Sequence, residues 1–497
     1  MIMKKIISYL SLLFIAIFLV GCYEPIIDEP IIGESTIDEL IIYSINDFHG
    51  ALLEDGDKVG ISKLGNYLIN EKEKNPESTI IISAGDIFQG TAVSSMTRGK
   101  VVVEAMNIIG FDAMTLGNHE FDWGVDQIKV FFDENEENGE ASFPFLSANV
   151  CYKHNYELVE WANPYAVIDR GNLKIGIIGL LGSDQINDIL ASHVKDYVFT
   201  DEFSTIKKYA KILRNEENCD IVIVAAHLDT AEINYKLSSL TGDEKIDALI
   251  NGHTHQQYYG ELNYNRQVPL PYVQSGSNGQ YIGKITLEID KETREVVDVS
   301  SENIKASSVC FQESQAINDL MSKYQNYIDE AKSILGVAGE NIYKNIAGIW
   351  MATVIQEKMG TDLGVVNSGG VRSSAFPIYA NDNVSYGDIF EIMPFENTIC
   401  RTTILGRELL KILNYMNNGL YFSNNVTKSG QSYYINGVRV ESDKKYRVGT
   451  IDYLFEKTYY PFMDGEEITK TSILLREIMV DSVNEKIALY GKFYVTK

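Results

Sequence analysis

The stretch from Met114 to Gly124 brings three chemically useful side chains into one polar turn after a short apolar run. Asn118 offers a neutral carbonyl oxygen to a metal, and the His119 imidazole can carry a proton near neutral pH. Asp122 can accept a hydrogen bond from that ring and favour its charged form. Because Gly-Asn turns and Asn helix caps are common, the stretch alone leaves a purely structural role open.

Five of the seven histidines directly follow apolar runs that predict buried strands, and an aspartate ends another such strand. Residues two apart on a strand share a face, which predicts one face for each of the pairs Asp47/His49 and His253/His255. Carboxylates and imidazoles gathered at strand ends are typical of metal sites and of active sites on α/β sheets. The residues concerned are Asp47, His49, Asp86, Asn118, His119, His227, His253 and His255.

These segments, in this order, resemble the calcineurin-like metallophosphoesterase signature D-x-H, G-D, G-N-H-(E), H and G-H-x-H. More closely, Asn-Asp-Phe-His-Gly, Ala-Gly-Asp-Ile-Phe-Gln-Gly, Leu-Gly-Asn-His-Glu-Phe-Asp-Trp-Gly and Asn-Gly-His-Thr-His resemble the bacterial 5′-nucleotidase family. That family also includes UDP-sugar hydrolases and 2′,3′-cyclic-nucleotide phosphodiesterases. The resemblance covers nearly all of the chain after its first segment.

The resemblance implies two divalent metal ions and a catalytic pair. Metal one is then bound by Asp47, His49 and His255, metal two by Asn118, His227 and His253, and Asp86 bridges both. His119 and Asp122 match the catalytic dyad. A pair of metal ions can activate water and hold phosphate oxygens, and mixed nitrogen and oxygen ligands suit Zn²⁺, Mn²⁺ or Co²⁺.

Three later segments resemble the family's nucleotide pocket. Asp362-Leu-Gly-Val-Val-Asn-Ser-Gly-Gly-Val-Arg372 resembles N-G-G-G-I-R, Met393-Pro-Phe-Glu-Asn397 resembles P-F-G-N, and Asp452-Tyr-Leu…Met-Asp-Gly465 resembles N-D-F-L…G-G-D-G. The resemblance implies that Arg372 pairs with phosphate and that Phe395 stacks on the base. The implied substrate-binding residues are Asn367, Arg372, Phe395, Asn397, Tyr453 and Asp464.

Two departures from the family pattern concern this pocket. The connection Phe455–Phe462 is longer than the family's, so Tyr453, Tyr459 and Tyr460 are all candidates for the second stacking ring. The family's additional arginines have no counterpart in residues 336–345, where Lys344 could stand in as a point charge.

The pattern of the N-terminal residues is typical of a targeting segment. Lys4 and Lys5 precede an apolar run that ends at Leu-Val-Gly-Cys22, which resembles a bacterial lipoprotein signal; the alternative is an uncleaved anchor. Residues 23–36 then form a tether. The sequence thus predicts an extracytoplasmic lipoprotein that is held on the membrane by an acyl chain on Cys22.

A net charge of −26 argues against a nucleic-acid groove, which needs a basic stripe. Apart from Cys22, the cysteines are scattered and predict free, mostly buried thiols. Nothing in the sequence indicates an oligomeric state.

The predicted fold class is α/β. Residues 37–305 should form a four-layer α/β/β/α sandwich that carries the two metals, 306–335 a linking helix, and 336–497 a smaller α/β domain that binds the nucleotide. The predicted function is release of phosphate from nucleotides by a metal-dependent, 5′-nucleotidase-like hydrolase. The alternatives are a 2′,3′-cyclic-nucleotide 2′-phosphodiesterase with 3′-nucleotidase activity, a UDP-sugar hydrolase, and a non-catalytic nucleotide-binding surface protein.

Overall fold

The computed structural model describes residues 37–135, 137–228, 231–264 and 266–497. The predicted signal segment, the tether and Cys22 therefore lie outside the described residues. Within those ranges, none of the helices combines the length and the apolar character that crossing a membrane requires.

Two six-stranded sheets form the N-terminal part of the molecule. In spatial order, the first contains Val296–Lys305, Tyr281–Asp290, Ile37–Ile45, Thr79–Ser83, Ala113–Thr115 and Phe145–Leu146. The second contains Gln257–Leu262, Leu270–Ser275, Ala248–Asn251, Ile221–His227, Leu173–Leu181 and Tyr165–Arg170. The central strands of both sheets are parallel, so their carboxyl ends meet at one edge of each sheet.

The two sheets pack face to face through aliphatic side chains. Ile42 and Ile82 of the first sheet share one core with Ile177 and Ile223 of the second. Because the inner strands are covered on both faces, their sequences are nearly continuous apolar runs.

Helices cover the outer faces of both sheets. Gly60–Lys74 and Lys100–Ile109 pack on the first sheet, and Glu202–Asn215 packs on the second. The predicted α/β/β/α sandwich is confirmed. The remaining helices of this part are Ala92–Met96, Val125–Lys129, Ala191–Val194 and Ala231–Ser238.

The C-terminal part is smaller and has its own core around the buried Trp350. Its five-stranded sheet runs in the order Leu420–Phe422, Leu363–Asn367, Lys445–Ile451, Thr398–Leu405 and Glu466–Leu474. Its helices are Lys344–Met359, Tyr386–Ile392, Gly406–Leu413, Asp452–Phe455 and Leu475–Tyr490. The minor strands of this part are Val426–Ser429, Ser432–Ile435 and Val438–Arg439, and Ile334–Val337 pairs with Asn383–Ser385; in the N-terminal part, Val150–Tyr152 pairs with Tyr197–Phe199.

Between the two parts, the structure has two short helices rather than the one linking helix that the periodicity predicts. Gln315–Lys323 and Gln325–Ala331 are separated at Tyr324, whose φ of −104° and ψ of 18° leave the helical region. The Tyr324 hydroxyl donates to Glu104 of the first part at 2.5 Å. The residue at which the helix breaks therefore also makes a contact with a residue that is distant in sequence.

The cysteines agree with their predicted state. Cys151, Cys219, Cys310 and Cys400 are all free and buried.

Candidate metal centre and nucleotide cleft

The predicted ligands meet where the parallel strands of both sheets end. Asp47 and His49 follow strand Ile37–Ile45, and Asp86 follows Thr79–Ser83. Asn118 opens a short 3-10 turn after Ala113–Thr115, and His227 ends its strand. These five side chains are buried. His253 and His255 follow strand Ala248–Asn251; His253 is half-buried and His255 is exposed.

The local backbone differs from the sequence expectation. Asp47, His49, Asp86, His253 and His255 all have positive φ, at 48°, 50°, 56°, 81° and 57°. The two pairs therefore do not share a face through strand alternation, and that part of the prediction is wrong. Left-handed backbone at non-glycine residues costs about 1–3 kcal/mol each and is typical of functional sites, where the surrounding structure holds it in place.

The first group of candidate ligands is Asp47, His49, Asp86 and His255. The Nε2 atoms of His49 and His255 lie 3.0 Å apart, and His255 Nε2 is 3.3 Å from Asp47 Oδ1. The potential ligand atoms of this group all lie within 4.8 Å of one another. Such spacing suits a single cation between them.

The second group is Asp86, His227 and His253. His227 Nε2 lies 3.1 Å from Asp86 Oδ2, and Asn118 Oδ1 lies 3.1 Å from His253 Nδ1. Asp86 belongs to both groups. The residues predicted to hold two metals thus form two adjoining sites with one shared carboxylate.

Two observations test whether these residues fit metal ions. The Nδ1 atoms of His49 and His227 donate to the carbonyl oxygens of Gln89 and Ala84 at 2.9 and 2.7 Å, which directs each Nε2 toward the ligand groups. His227 Nε2 is fully buried, and among the described residues no acceptor meets it in good hydrogen-bonding geometry, although Asp86 Oδ2 lies 3.1 Å away. A buried, oriented imidazole lone pair next to a carboxylate fits a cation, so the residues present fit two divalent ions.

The pKa values of the imidazoles near the shared Asp86 carboxylate also bear on metal binding. Burial lowers the pKa of His227, but Asp86 outweighs it and raises that pKa to about 9. For His49, burial and then the Arg372 guanidinium hold the pKa well below its ordinary value. Without a metal ion, the proton on His227 therefore offsets the buried Asp86 charge, and a bound cation would replace that proton, while His49 is a neutral imidazole.

His119 and Asp122 form the pair that the sequence predicts. His119 Nδ1 lies 2.8 Å from Asp122 Oδ2, while His119 Nε2 lies 3.9 Å from Asp86 Oδ2. Burial lowers the pKa of His119, but Asp86 and Asp122 outweigh it and leave that pKa above its ordinary value. The ring can thus present a proton on Nε2 toward the metal centre.

Glu120 is a residue whose role the sequence reasoning missed. Its buried carboxylate accepts backbone N–H groups of Asp86, Ile87 and Gly117 at 2.9, 2.8 and 2.6 Å. Burial, and then Asp86, raise its pKa to about 7 despite these bonds. One side chain therefore joins the turn of Asp86 to the turn of His119. The available signal was an acidic residue inside a predicted buried motif.

The C-terminal part completes a cleft of about 660 Å³ over the centre. Arg372 Nη1 and Nη2 lie 3.5 and 3.3 Å from the Nε2 atoms of His119 and His49. In the described part of the chain, this guanidinium forms no ion pair with a carboxylate. The Phe395 ring centroid is 5.7 Å from that of His119. Asn367 also lines the cleft, and its buried Oδ1 has no hydrogen-bond partner among the residues that the structure describes. A cation, an aromatic face and a free acceptor thus surround one opening.

The structure does not bring all the predicted pocket residues to this cleft. Asn397 lines it, but its Nδ2 already donates to Asp452 Oδ1 at 2.7 Å. Asp464 is exposed and lines a separate groove with Tyr459 and Tyr460.

Of the three candidate tyrosines, Tyr453 is the one that lines the cleft. Lys344 lines an adjoining cavity of about 200 Å³ together with Arg372, and its Nζ is 3.0 Å from Ser373 Oγ.

Comparison with known families agrees with this geometry. Residues 41–257 match the calcineurin-like phosphoesterase family, and residues 336–463 match the 5′-nucleotidase C-terminal domain. The chain belongs to the 5′-nucleotidase family. Membership assigns the N-terminal part to the metal-dependent phosphoric ester hydrolases and implies divalent metal ions at the two ligand groups.

Individual 5′-nucleotidase relatives extend over both parts. The chain is 26% identical over 428 residues to a 5′-nucleotidase of Vibrio cholerae, covering 76% of this chain and 75% of that one. It is 26% identical over 503 residues to the cell wall protein Lmo0130 of Listeria monocytogenes, covering 83% and 63%. The solved 5′-nucleotidase precursor of Thermus thermophilus has the same fold, with a TM-score of 0.74, 20% identity and coverage of 90% and 96%.

Several relatives are longer proteins. The match spans 63% of the Listeria protein, and 32% and 26% of two relatives from Bacillus subtilis.

Proposed function

We propose that this protein is an extracytoplasmic hydrolase that releases phosphate from nucleotides and uses two divalent ions, Zn²⁺, Mn²⁺ or Co²⁺. One observation carries the proposal: two ligand groups that share Asp86 open onto the same cleft as Arg372 and Phe395. Metal chemistry, a phosphate-pairing cation and a base-sized aromatic face are the three features that hydrolysis of a nucleotide needs.

Each side chain has a role that follows from its position. When bound, the ions supply an activated water and positive charge to the phosphate oxygens. Arg372 pairs with the phosphate, since within the described residues the polar contacts of its guanidinium are to imidazole nitrogens and not to a carboxylate. His119, held at Nδ1 by Asp122, donates from Nε2 to charge that develops on the transferring group. Phe395 stacks on the base.

A hydrolysis screen tests the proposal. It measures free phosphate and also the phosphoester products by chromatography, because cyclic nucleotides and UDP-glucose are first cleaved to monoesters without release of phosphate. Purified protein loaded with Mn²⁺ is assayed against 5′-, 3′- and 2′,3′-cyclic nucleotides, UDP-glucose and p-nitrophenyl phosphate. We expect the highest kcat/KM with a 5′-nucleotide. A preference for cyclic or 3′-nucleotides would instead indicate a 2′,3′-cyclic-nucleotide 2′-phosphodiesterase with 3′-nucleotidase activity. Binding of nucleotides without any turnover would point to the non-catalytic alternative.

The base-stacking role of Phe395 can be separated from catalysis. Phe395→Ala should raise KM for nucleotides about tenfold, corresponding to about 1.4 kcal/mol. The value of kcat should change little, because stacking stabilises the ground state and the transition state alike. The variant should cleave p-nitrophenyl phosphate, which has no base, as the wild type does. Equal slowing of both substrates would contradict this assignment.

We infer in addition that Cys22 is the acylated N-terminus of the mature protein. The support is the sequence Leu-Val-Gly-Cys after an apolar run, together with a relative named as a cell wall protein. Cys22→Ala should abolish metabolic labelling with palmitate and move the protein from the membrane fraction to the soluble fraction. Cys310→Ala, at a buried thiol, is the matched control. Unmodified Cys22 in wild-type membranes would contradict the inference.

A further inference from the structure

The connection Phe455–Phe462, which is longer than the family's, crosses to the phosphoesterase part of the molecule. Lys457 Nζ donates to the carbonyl oxygen of Asn187 and lies 3.3 Å from that of Ile189. The neighbouring Glu456 accepts the backbone N–H of Ser192 at 3.0 Å through Oε2. Lys457 is only 6% exposed. This connection is therefore docked on a turn that belongs to the other part.

The same lysine contacts the ring that lines the cleft. Lys457 Nζ lies over the Tyr453 ring at 4.1 Å from its centroid. The Tyr453 hydroxyl donates to the Asn187 carbonyl oxygen at 3.3 Å, so both side chains share one acceptor. The ammonium thus covers one face of a ring that lines the cleft.

The carbonyl groups that receive Lys457 flank Asp188, which lines the cleft. Burial raises the pKa of Asp188, and the positive charges of His253, Lys457 and His119 oppose that effect. Asp188 therefore belongs to the cleft wall and lies in the chain between the two residues whose carbonyl groups Lys457 contacts. The ammonium of Lys457 forms no ion pair within the described ranges; its partners are two carbonyl groups and an aromatic face.

We propose that Lys457 is a positioning residue for the nucleoside: it ties Tyr453 to the Asn187–Ile189 turn and so fixes two walls of the cleft. This inference rests on the proposed function. Lys457 does not line the cleft, so it acts through Tyr453 and Asp188. Without the ammonium, the Ile189 carbonyl loses this donor, and only the Tyr453 hydroxyl still holds the ring to the turn, through Asn187.

Lys457→Met keeps the apolar stem and removes the charge, which makes it the direct test. We expect its KM for the preferred nucleotide to rise about tenfold with kcat nearly unchanged, because the nucleoside is held equally in the ground and transition states. Kinetics with p-nitrophenyl phosphate should stay at the wild-type level. Lys457→Arg, which keeps charge and donors, should restore KM to within about threefold of wild type.

Lys428→Met is the matched control, since Lys428 also lies over a tyrosine, Tyr433, at 5.1 Å in the same part of the molecule. Its kinetics should match the wild type. Should Lys457→Met fail to fold by circular dichroism, Tyr453→Phe removes only the hydroxyl bond to Asn187. That variant should raise KM about threefold, the effect of one hydrogen bond.

The outcomes separate this inference from the proposed function. A wild-type protein that cleaves p-nitrophenyl phosphate but no nucleotide overturns the proposed function. A wild-type protein that cleaves nucleotides, with KM unchanged in Lys457→Met, overturns the positioning role alone. A fall in kcat for both substrates would show that Lys457 only supports the fold, and would also overturn it.

Discussion

Replacing His119 by alanine is expected to lower kcat by about 10²- to 10⁴-fold for nucleotides and for p-nitrophenyl phosphate alike. The reason is that His119 Nε2 faces the centre where charge develops as the phosphoryl group transfers, while Nδ1 is held at 2.8 Å by Asp122. A donor that acts mainly in the transition state contributes to kcat rather than to substrate affinity. Steady-state kinetics with both substrates measure this directly.

Metal content distinguishes the proposed role of His119 as a proton donor from a role as a metal ligand. His119 is absent from both ligand groups, so the alanine variant should retain the wild-type metal content in elemental analysis. His154→Ala, at a histidine outside both groups, should leave kcat and metal content unchanged. Loss of metal in the His119 variant would make it a ligand and contradict the assignment.

Removing metal is expected to abolish phosphate release, and Zn²⁺, Mn²⁺ or Co²⁺ should restore it. The same treatment should lower the midpoint of thermal unfolding, because ions that bind the folded state stabilise it by mass action. The structural reason is the burial of Asp47, Asp86 and His227, whose polar atoms converge at the centre. Full activity in a preparation shown to be metal-free would overturn the mechanism.

One substitution tests whether the dependence on metal runs through the shared residue Asp86. Asp86→Asn should bind less metal than wild type in elemental analysis and should lose phosphate release with it, because Asp86 belongs to both ligand groups. Asp126→Asn, at a side chain that is 98% exposed, is the matched control and should change neither quantity.

The sequence by itself predicted the central strands and the side chains that gather at their ends. Apolar, β-branched runs predicted the central strands, and the residues that follow them are those that meet in the structure. Strand formation and ligand chemistry depend on residue type and local spacing, which a sequence states directly. The pairing of His119 with Asp122 was likewise predictable, since the two residues are three positions apart.

Only the tertiary structure decided how distant segments meet. Three features depend on contacts between residues far apart in the chain. They are the positive φ at Asp47 and His253, the Glu120 carboxylate that joins two turns, and the break at Tyr324. The same holds for the cleft: Tyr453 lines it, Asp464 does not, and Lys457 reaches across to Asn187. Local pattern carries no information on which loops become neighbours, because that follows from sheet order and from the packing of two separate cores.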